Sequence, residues 1–161
     1  MKKLPPISLI LRHKQSAKIS RKWLLAILQN AVSEIPYHLD HSSELNVLLT
    51  NNKNIRFFNQ NFRSIDRSTD VLSFSLLEGS FSEFRGELLG DIIISTEMIT
   101  VQAKQHRRSF EYEFAHIFIH GILHIFGYDH QNARETKTMK GLERKILTRC
   151  KDIIREYPKL K

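Results

Sequence analysis

Two kinds of hydrophobic pattern divide the chain into segments. Short apolar runs predict four β-strands, at residues 7–11, 45–50, 71–76 and 89–95. Elsewhere apolar residues recur every three or four positions, which is typical of amphipathic helices. This second pattern predicts five helices, over residues 20–35, about 52–63, 96–106 and 109–126, and after residue 132.

Polar residues stand at the starts of several predicted helices. Ser20 and either Asn51 or Asn52 are suitable N-caps, because their side-chain oxygens can accept hydrogen bonds from free backbone N–H groups. Asn132, with Glu135 three residues later, has the spacing of a capping box. Strands alternate with helices early, and helices dominate late. This order predicts an α+β fold, an α/β sandwich in which one mixed sheet of about four strands packs with about five helices.

Composition is typical of one globular domain over residues 1–161. Hydrophobic residues make up 41% of the chain and charged residues 26%, which excludes a collagen, a coiled coil or a disordered chain. The longest uninterrupted apolar run, residues 23–28, is too short to span a membrane, and the run at residues 7–11 is too short for a signal peptide. The single cysteine, Cys150, excludes an internal disulfide and favours a reducing setting. We therefore expect a soluble, cytoplasmic protein.

Charge is distributed unevenly around a formal net value of +8. Residues 1–33 contain seven basic residues and no acidic one, and residues 131–161 contain ten basic and four acidic residues. Residues 34–130 contain eight basic and thirteen acidic residues. Basic ends on an acidic middle suggest contact with a polyanion, of which nucleic acid is the commonest. Solubility charge on exposed helix faces explains the same distribution equally well.

The segment that carries chemistry is the end of the fourth predicted helix and the residues after it. His120 and His124 are four residues apart, so both imidazoles project from one helix face. Gly127 stands where helices often end in a left-handed residue, and His130 follows three residues later, able to fold back. Three converging imidazoles predict a zinc site with an open coordination position. A hydrogen-bonded cluster of buried histidines is the alternative.

The same histidine spacing occurs in the metzincin proteases, in the motif His-Glu-x2-His-x2-Gly-x2-His. The glutamate that acts as general base in those enzymes follows the first histidine, and here that position is Gly121. Without this carboxylate, the usual route of peptide hydrolysis loses its proton acceptor. We therefore expect the metal site without the protease chemistry.

Four segments carry a resemblance to a known family, and they read NQNFR at 59–63, TDVLSF at 69–74, LGDIIIS at 89–95 and HGILHIFGYDH at 120–130. In this order they resemble motifs of the YbeY family of bacterial metal-dependent endoribonucleases, whose signature is HGxLHLxGYDH. Three features depart from the family pattern. Ser75 stands where many members have proline, Phe62 replaces a tyrosine, and the loop at residues 77–88 follows no family pattern.

The resemblance implies a site and a function. It implies that His120, His124 and His130 bind one metal ion, usually Zn²⁺, and that Arg63 is a cleft arginine needed for activity. It also implies a single-strand-preferring endoribonuclease acting in 3′-end processing of 16S ribosomal RNA, ribosome maturation and quality control. The expected partners are ribosomal RNA and the small ribosomal subunit, with a ribosome-assembly GTPase and a small-subunit ribosomal protein, and no membrane.

Three further side chains each admit two interpretations. The Arg63 guanidinium can brace phosphoryl oxygens in a bidentate fork, or it can close its helix by interacting with the helix dipole; the family favours the first. His116 can bind a phosphate or move a proton, or it can be a core histidine bound to a carbonyl. Asp129 can orient a ligand imidazole or accept a proton from activated water, or it can be an ordinary turn residue.

Two other functions remain open at this point. One is a non-catalytic, metal-stabilised ribosome assembly factor, which would leave RNA intact. The other is a metalloprotease-like metallohydrolase, which Gly121 argues against.

Overall fold

The computed structural model describes residues 6–13, 19–39, 42–80, 82–84 and 86–157. Its strands are β1 (Ile7–His13), β2 (Ser43–Thr50), β3 (Val71–Ser75) and β4 (Leu88–Ser95). Its α-helices are α1 (Arg21–Glu34), α2 (Asn52–Arg63), α3 (Thr96–Gln105), α4 (Phe110–Ile125), α5 (Ala133–Arg149) and α6 (Lys151–Arg155), with a short 3₁₀ helix at Ser82–Phe84. Much of the basic N-terminal charge, including Lys2, Lys3, Lys14 and Lys18, lies outside the described residues.

The four strands form one mixed sheet in the order β1–β2–β4–β3. Neighbours among β1, β2 and β4 are parallel, whereas β3 runs antiparallel to β4 at one edge. Parallel neighbours require a crossover connection, and α1 provides it between β1 and β2. In the edge ladder, Ser73 lies opposite Ile92. The mixed sheet confirms the α+β fold expected from the sequence.

The two faces of the sheet are covered by different helices. Side chains alternate along a strand, so Ile92 and Ile94 of β4 enter the main core while Ile93 points to the other face. On that other face, Ile55 of α2 packs against Leu72 and Ile93. The main core is built largely from α1 and α4. Helix α4 is buried nearly all round, as its continuous apolar sequence predicts.

The predicted helix starts are confirmed at Ser20, Asn51 and Asn132, whose side chains accept from the N–H groups three residues later. Two details differ from the prediction. The last helix is interrupted at Cys150, so α6 follows α5 as a separate short helix. The Glu135 carboxylate accepts from the Gln131 N–H at 3.1 Å, one residue before the position of a capping box. Among the described helices, none is long and apolar enough to cross a membrane.

Candidate metal centre

Helix α4 ends in a turn that brings the following chain back beside its last residues. The Gly127 N–H donates to the His124 carbonyl at 3.1 Å and the Tyr128 N–H to the Leu123 carbonyl at 3.0 Å, the paired bonds of a Schellman motif. Gly127 has a φ of 85°, a left-handed conformation that glycine adopts without steric cost. Because of this turn, the His130 ring lies against the ring of His124.

Three imidazoles converge at this turn. The Nε2 atoms of His120 and His124 are 3.0 Å apart, and the His130 ring centre is 5.7 and 5.3 Å from the centres of those two rings. One ring nitrogen from each residue lies within 4.8 Å of those of the other two. Nitrogens bound tetrahedrally to Zn²⁺ at about 2.0–2.1 Å are about 3.3 Å apart. The nitrogens lie close to these separations, so the three imidazoles could hold one metal ion after small adjustments of the rings.

The surroundings of His124 suit a metal ligand. Burial lowers the pKa of His124, and the neighbouring His120 and His130 lower it further. A metal ligand must be a neutral imidazole with a free lone pair. The donor set therefore fits an ion that accepts imidazole nitrogen, as zinc does.

Glu143 of α5 is a residue of this centre that the sequence analysis did not identify. Its Oε1 lies 2.5 Å from Nδ1 of His120. Burial raises the pKa of Glu143, but the imidazoles of His116 and His120 outweigh that effect and bring the pKa to about 2. A carboxylate on Nδ1 leaves Nε2 as the ligand atom and fixes the ring orientation. The available signal was an acidic residue in a strongly basic helix, and spacing alone could not connect it to a histidine on α4.

His116 lies one turn before the three converging histidines and does not join them. Its Nε2 is 3.8 Å from Oε2 of Glu143, and its Nδ1 is 3.5 Å from Nη1 of Arg108. The ring is partly exposed and faces charged side chains, so its surroundings differ from those of a core histidine bound to a carbonyl.

Asp129 interacts with the turn itself. One carboxylate oxygen accepts from the His130 N–H at 2.8 Å, and the other accepts from the Gln131 side chain at 2.7 Å. The His130 N–H is also the main reason why the pKa of Asp129 is lowered, with the Gln131 amide contributing. These contacts are those of a residue that shapes the turn.

Arg63 ends α2 and lies beside the edge strand β3. Its Nη2 donates to the Ser73 carbonyl at 3.0 Å, and its guanidinium carbon is 5.6 Å from the centre of the Phe74 ring. The cavity of about 500 Å³ beside His120 and His130 has no Arg63 atom in its lining. Two residues at the start of β3 and just before it, Val71 and Asp70, do line that cavity, so β3 borders both Arg63 and the cavity.

Gly121 lies where α4 packs against strands β3 and β4. A methyl group added to Gly121 would lie 3.1 Å from the Ser73 hydroxyl and 3.2 Å from a methyl carbon of Ile92. The sheet thus packs directly against α4 beside His120. Position 121, which is glutamate in the metzincins, is glycine here, and even a methyl group at that position would be tightly packed.

Comparisons with known proteins agree on one family. Residues 10–151 match the family model described as Endoribonuclease YbeY. The chain is 38% identical over 144 residues to Endoribonuclease YbeY of Heliobacterium modesticaldum, covering 83% of this chain and 86% of that protein. It is 44% identical over 110 residues to Endoribonuclease YbeY of Fusobacterium nucleatum, covering 68% of each. The chain belongs to the YbeY family.

A solved structure has a similar fold. The solution structure of TM1509 from Thermotoga maritima superposes on this YbeY chain with a TM-score of 0.57 at 25% identity, covering 93% of both chains. This match confirms the α+β fold. The range that matches the YbeY family model includes Arg63 and the three converging histidines, so the family resemblance seen in four short segments extends over most of the chain.

Proposed function

We propose that this YbeY protein is a zinc-dependent endoribonuclease that prefers single-stranded RNA. We propose that it acts in 3′-end processing of 16S ribosomal RNA, in ribosome maturation and in quality control. The observation that carries the proposal is the convergence of three histidine nitrogens at the end of α4, in a chain whose family is that of an endoribonuclease. His120, His124 and His130 are the proposed ligands of one Zn²⁺ ion.

The side chains around the site determine how it would work. When bound, the ion supplies Lewis-acid activation of water near neutral pH. Glu143 interacts with Nδ1 of His120 and would so leave Nε2 of that ring free to bind the ion. Three protein ligands leave a coordination position open for chemistry, whereas a structural zinc site is closed by a fourth. Cys150, the only cysteine, is buried elsewhere in the core and does not supply that fourth ligand.

Arg63 is the proposed residue that stabilises charge on the phosphate. Its Nη2 is held by the Ser73 carbonyl, which fixes the guanidinium at one corner. The other N–H groups have no hydrogen-bond acceptor among the described residues and can brace phosphoryl oxygens. Removing one such donor from an active site typically lowers the rate about 10²–10³-fold.

Exposed aromatic side chains near Arg63 support the preference for single strands. Phe57 and Phe62 are 62% and 66% exposed, and the Phe62 ring centre is 5.4 Å from that of Phe74, which Arg63 covers. Unpaired bases stack on such rings with about 1–3 kcal/mol per base. Bases paired in a duplex have no free face to offer.

We also propose auxiliary roles for His116 and Asp129, and a different observation supports each role. His116 lies between Arg108 and Glu143, where it can bind a phosphate or pass on a proton. Asp129 uses both oxygens within the turn, so its proposed contribution is to hold His130 in place.

Among other functions, a non-catalytic assembly factor is the one that the fold accommodates. The same three histidines would then stabilise the α4 turn, and RNA would remain uncut. Peptide hydrolysis is disfavoured, because Gly121 offers no carboxylate to accept a proton.

The test is cleavage of a labelled 16S ribosomal RNA precursor by the wild type, Arg63→Ala and His124→Ala. Arg67→Ala and His13→Ala are matched controls, because both residues are exposed and neither lies in the site. Loss of cleavage in the two site variants, with wild-type rates in both controls, supports the nuclease. Equal cleavage by all five proteins would identify a contaminating nuclease and favour the assembly factor.

The proposed partners are ribosomal RNA and the small ribosomal subunit, with a ribosome-assembly GTPase and a small-subunit ribosomal protein. The proposed location is the cytoplasm, which the single buried cysteine supports. Co-sedimentation of the protein with small subunits from a bacterial lysate, and its absence from large-subunit fractions, tests the partner assignment.

A further inference from the structure

A second cavity lies next to the metal centre, between α4, α5 and α6. Its volume of about 920 Å³ is comparable to ligand-binding clefts, which are about 300–1,000 Å³. We call it the C-terminal groove. Its lining residues include Arg108, Tyr112, Lys140, Arg144, Lys151 and Arg155.

Positive charge dominates the rim of the C-terminal groove. Five exposed cations line it, against two carboxylates, Glu111 and Glu143. Glu143 is already engaged by two imidazoles. Among the residues that the structure describes, no ion pair involves Lys140, Arg144 or Lys151. These three side chains are therefore available to a negatively charged ligand.

The floor of the groove is apolar and includes an aromatic ring. Leu147 and Ile154 line it together with Tyr112, and the Arg108 guanidinium lies 5.1 Å from the centre of the Tyr112 ring. Bases of single-stranded nucleic acid stack on aromatic rings and on guanidinium planes, while their phosphates pair with cations. A basic rim over such a floor suits a chain that carries phosphates on one side and bases on the other.

The groove is adjacent to the cavity beside His120 and His130. His116, Lys140 and Glu143 line both spaces. A strand with one phosphate beside His120 would reach the groove by passing Lys140, which lines both spaces.

We propose that the C-terminal groove binds the single-stranded RNA on one side of the bond that is cut, with Lys140, Arg144 and Lys151 contacting its phosphates. This inference rests on the proposed endoribonuclease function and gives the substrate a path over the surface. An acidic amphipathic peptide would also find cations around an apolar floor. RNA is favoured because the groove shares three lining residues with the cavity beside the proposed metal ligands.

The test is fluorescence anisotropy of 5′-fluorescein-labelled oligouridylates of twelve and four nucleotides. The groove variant is Arg144→Glu/Lys151→Glu, and the control is Lys22→Glu/Lys104→Glu, which changes the net charge equally on exposed residues outside the groove. All proteins are full-length. Circular dichroism checks that each variant is folded, and metal analysis checks that its metal site is intact. If the reversed charges prevent folding, Arg144→Gln/Lys151→Gln replaces the groove variant.

For the twelve-nucleotide RNA, we expect the groove variant to bind at least about 10-fold more weakly than the control at low salt. Each lost phosphate contact reduces the slope of log affinity against log salt by about 0.7 for single strands, so the expected reduction is about 1.4. The four-nucleotide RNA should bind both variants alike. Equal affinity of the groove variant and the control for the longer RNA would overturn the proposal. Displacement of that RNA by an equimolar twelve-residue oligoglutamate would assign the groove to acidic peptides and overturn it as well.

Binding and cleavage keep the two proposals separate. His124→Ala should lose cleavage and still bind the longer RNA with wild-type affinity. If the wild type binds through the groove but never cuts, the nuclease proposal fails alone. If it cuts while the groove variant binds and cuts as the control does, the groove proposal fails alone.

Discussion

The metal centre and the surroundings of Arg63 differ in how far apart their residues lie in the sequence. The three histidines lie within residues 120–130, and one helix with its C-terminal turn brings them together. Arg63 ends a different helix and is held by a carbonyl of the edge strand β3. A local arrangement follows from helix periodicity and one glycine. The position of Arg63 depends on how the sheet, α2 and α4 pack.

His130→Ala and Arg63→Ala should differ most clearly in metal content and in cleavage rate. We expect His130→Ala to lose bound metal and to reduce cleavage to the level of chelator-treated protein, because only two ligands remain. Arg63→Ala should keep its metal and cleave about 10²–10³-fold more slowly. Elemental analysis alongside the cleavage assay measures both. Loss of metal from Arg63→Ala would contradict this separation, because metal binding by the three histidines would then depend on Arg63.

Glu143→Ala tests whether the local cluster needs long-range support. Removing the carboxylate from Nδ1 of His120 should weaken metal affinity about 10–100-fold, since partners of this kind orient ligand imidazoles. Competition with a chromophoric chelator gives the affinity, and exposed Glu156→Ala is the control. Unchanged affinity would mean that α4 and its turn hold the ligands unaided.

Gly127→Ala tests the turn itself. At a φ of 85° a side chain costs about 1–2 kcal/mol, and the added methyl would also come within 3.0 Å of Glu78 Oε1. We expect lower stability together with weaker metal binding, because the return of His130 depends on this turn. Gly141→Ala is the matched control. It lies within α5 with nothing in the way and should stabilise the helix by up to about 1 kcal/mol. Urea unfolding with metal removed compares the two.

The smallest expected effect concerns the contact between α1 and α5. Lys145 and Arg149, each 2.7 Å from Glu34, lower the pKa of its carboxyl group against the effect of burial. Because the folded pKa lies below the unfolded one, the stabilisation is complete above the unfolded pKa and disappears as the pH falls through the folded pKa. Glu34→Gln should therefore cost about 1 kcal/mol or less at pH 7 and almost nothing in acid. Thermal unfolding at both pH values measures it, and a pH-independent difference would contradict the assignment.

Hydrophobic spacing was sufficient to locate the strands and the main helices. It succeeded because the signals are local: the apolar repeat of α4 and the capping side chains of Ser20 and Asn51 act within a few residues. The break at Cys150 was missed, since the apolar pattern continues through it into α6. The three histidines were predictable for the same local reason, from the four-residue repeat and Gly127.

Sequence by itself therefore determined the elements, the converging histidines and, through four short segments, the family. Only the tertiary structure brought Glu143 to His120, placed Arg63 on the Ser73 carbonyl, and packed Gly121 against the sheet. It also joined the basic face of α5 and α6 to the cavity beside the histidines. The physical reason is the separation along the chain of the residues that interact. Helix period and backbone turns act over a few residues, whereas these contacts join elements whose separation along the chain carries no periodic signal.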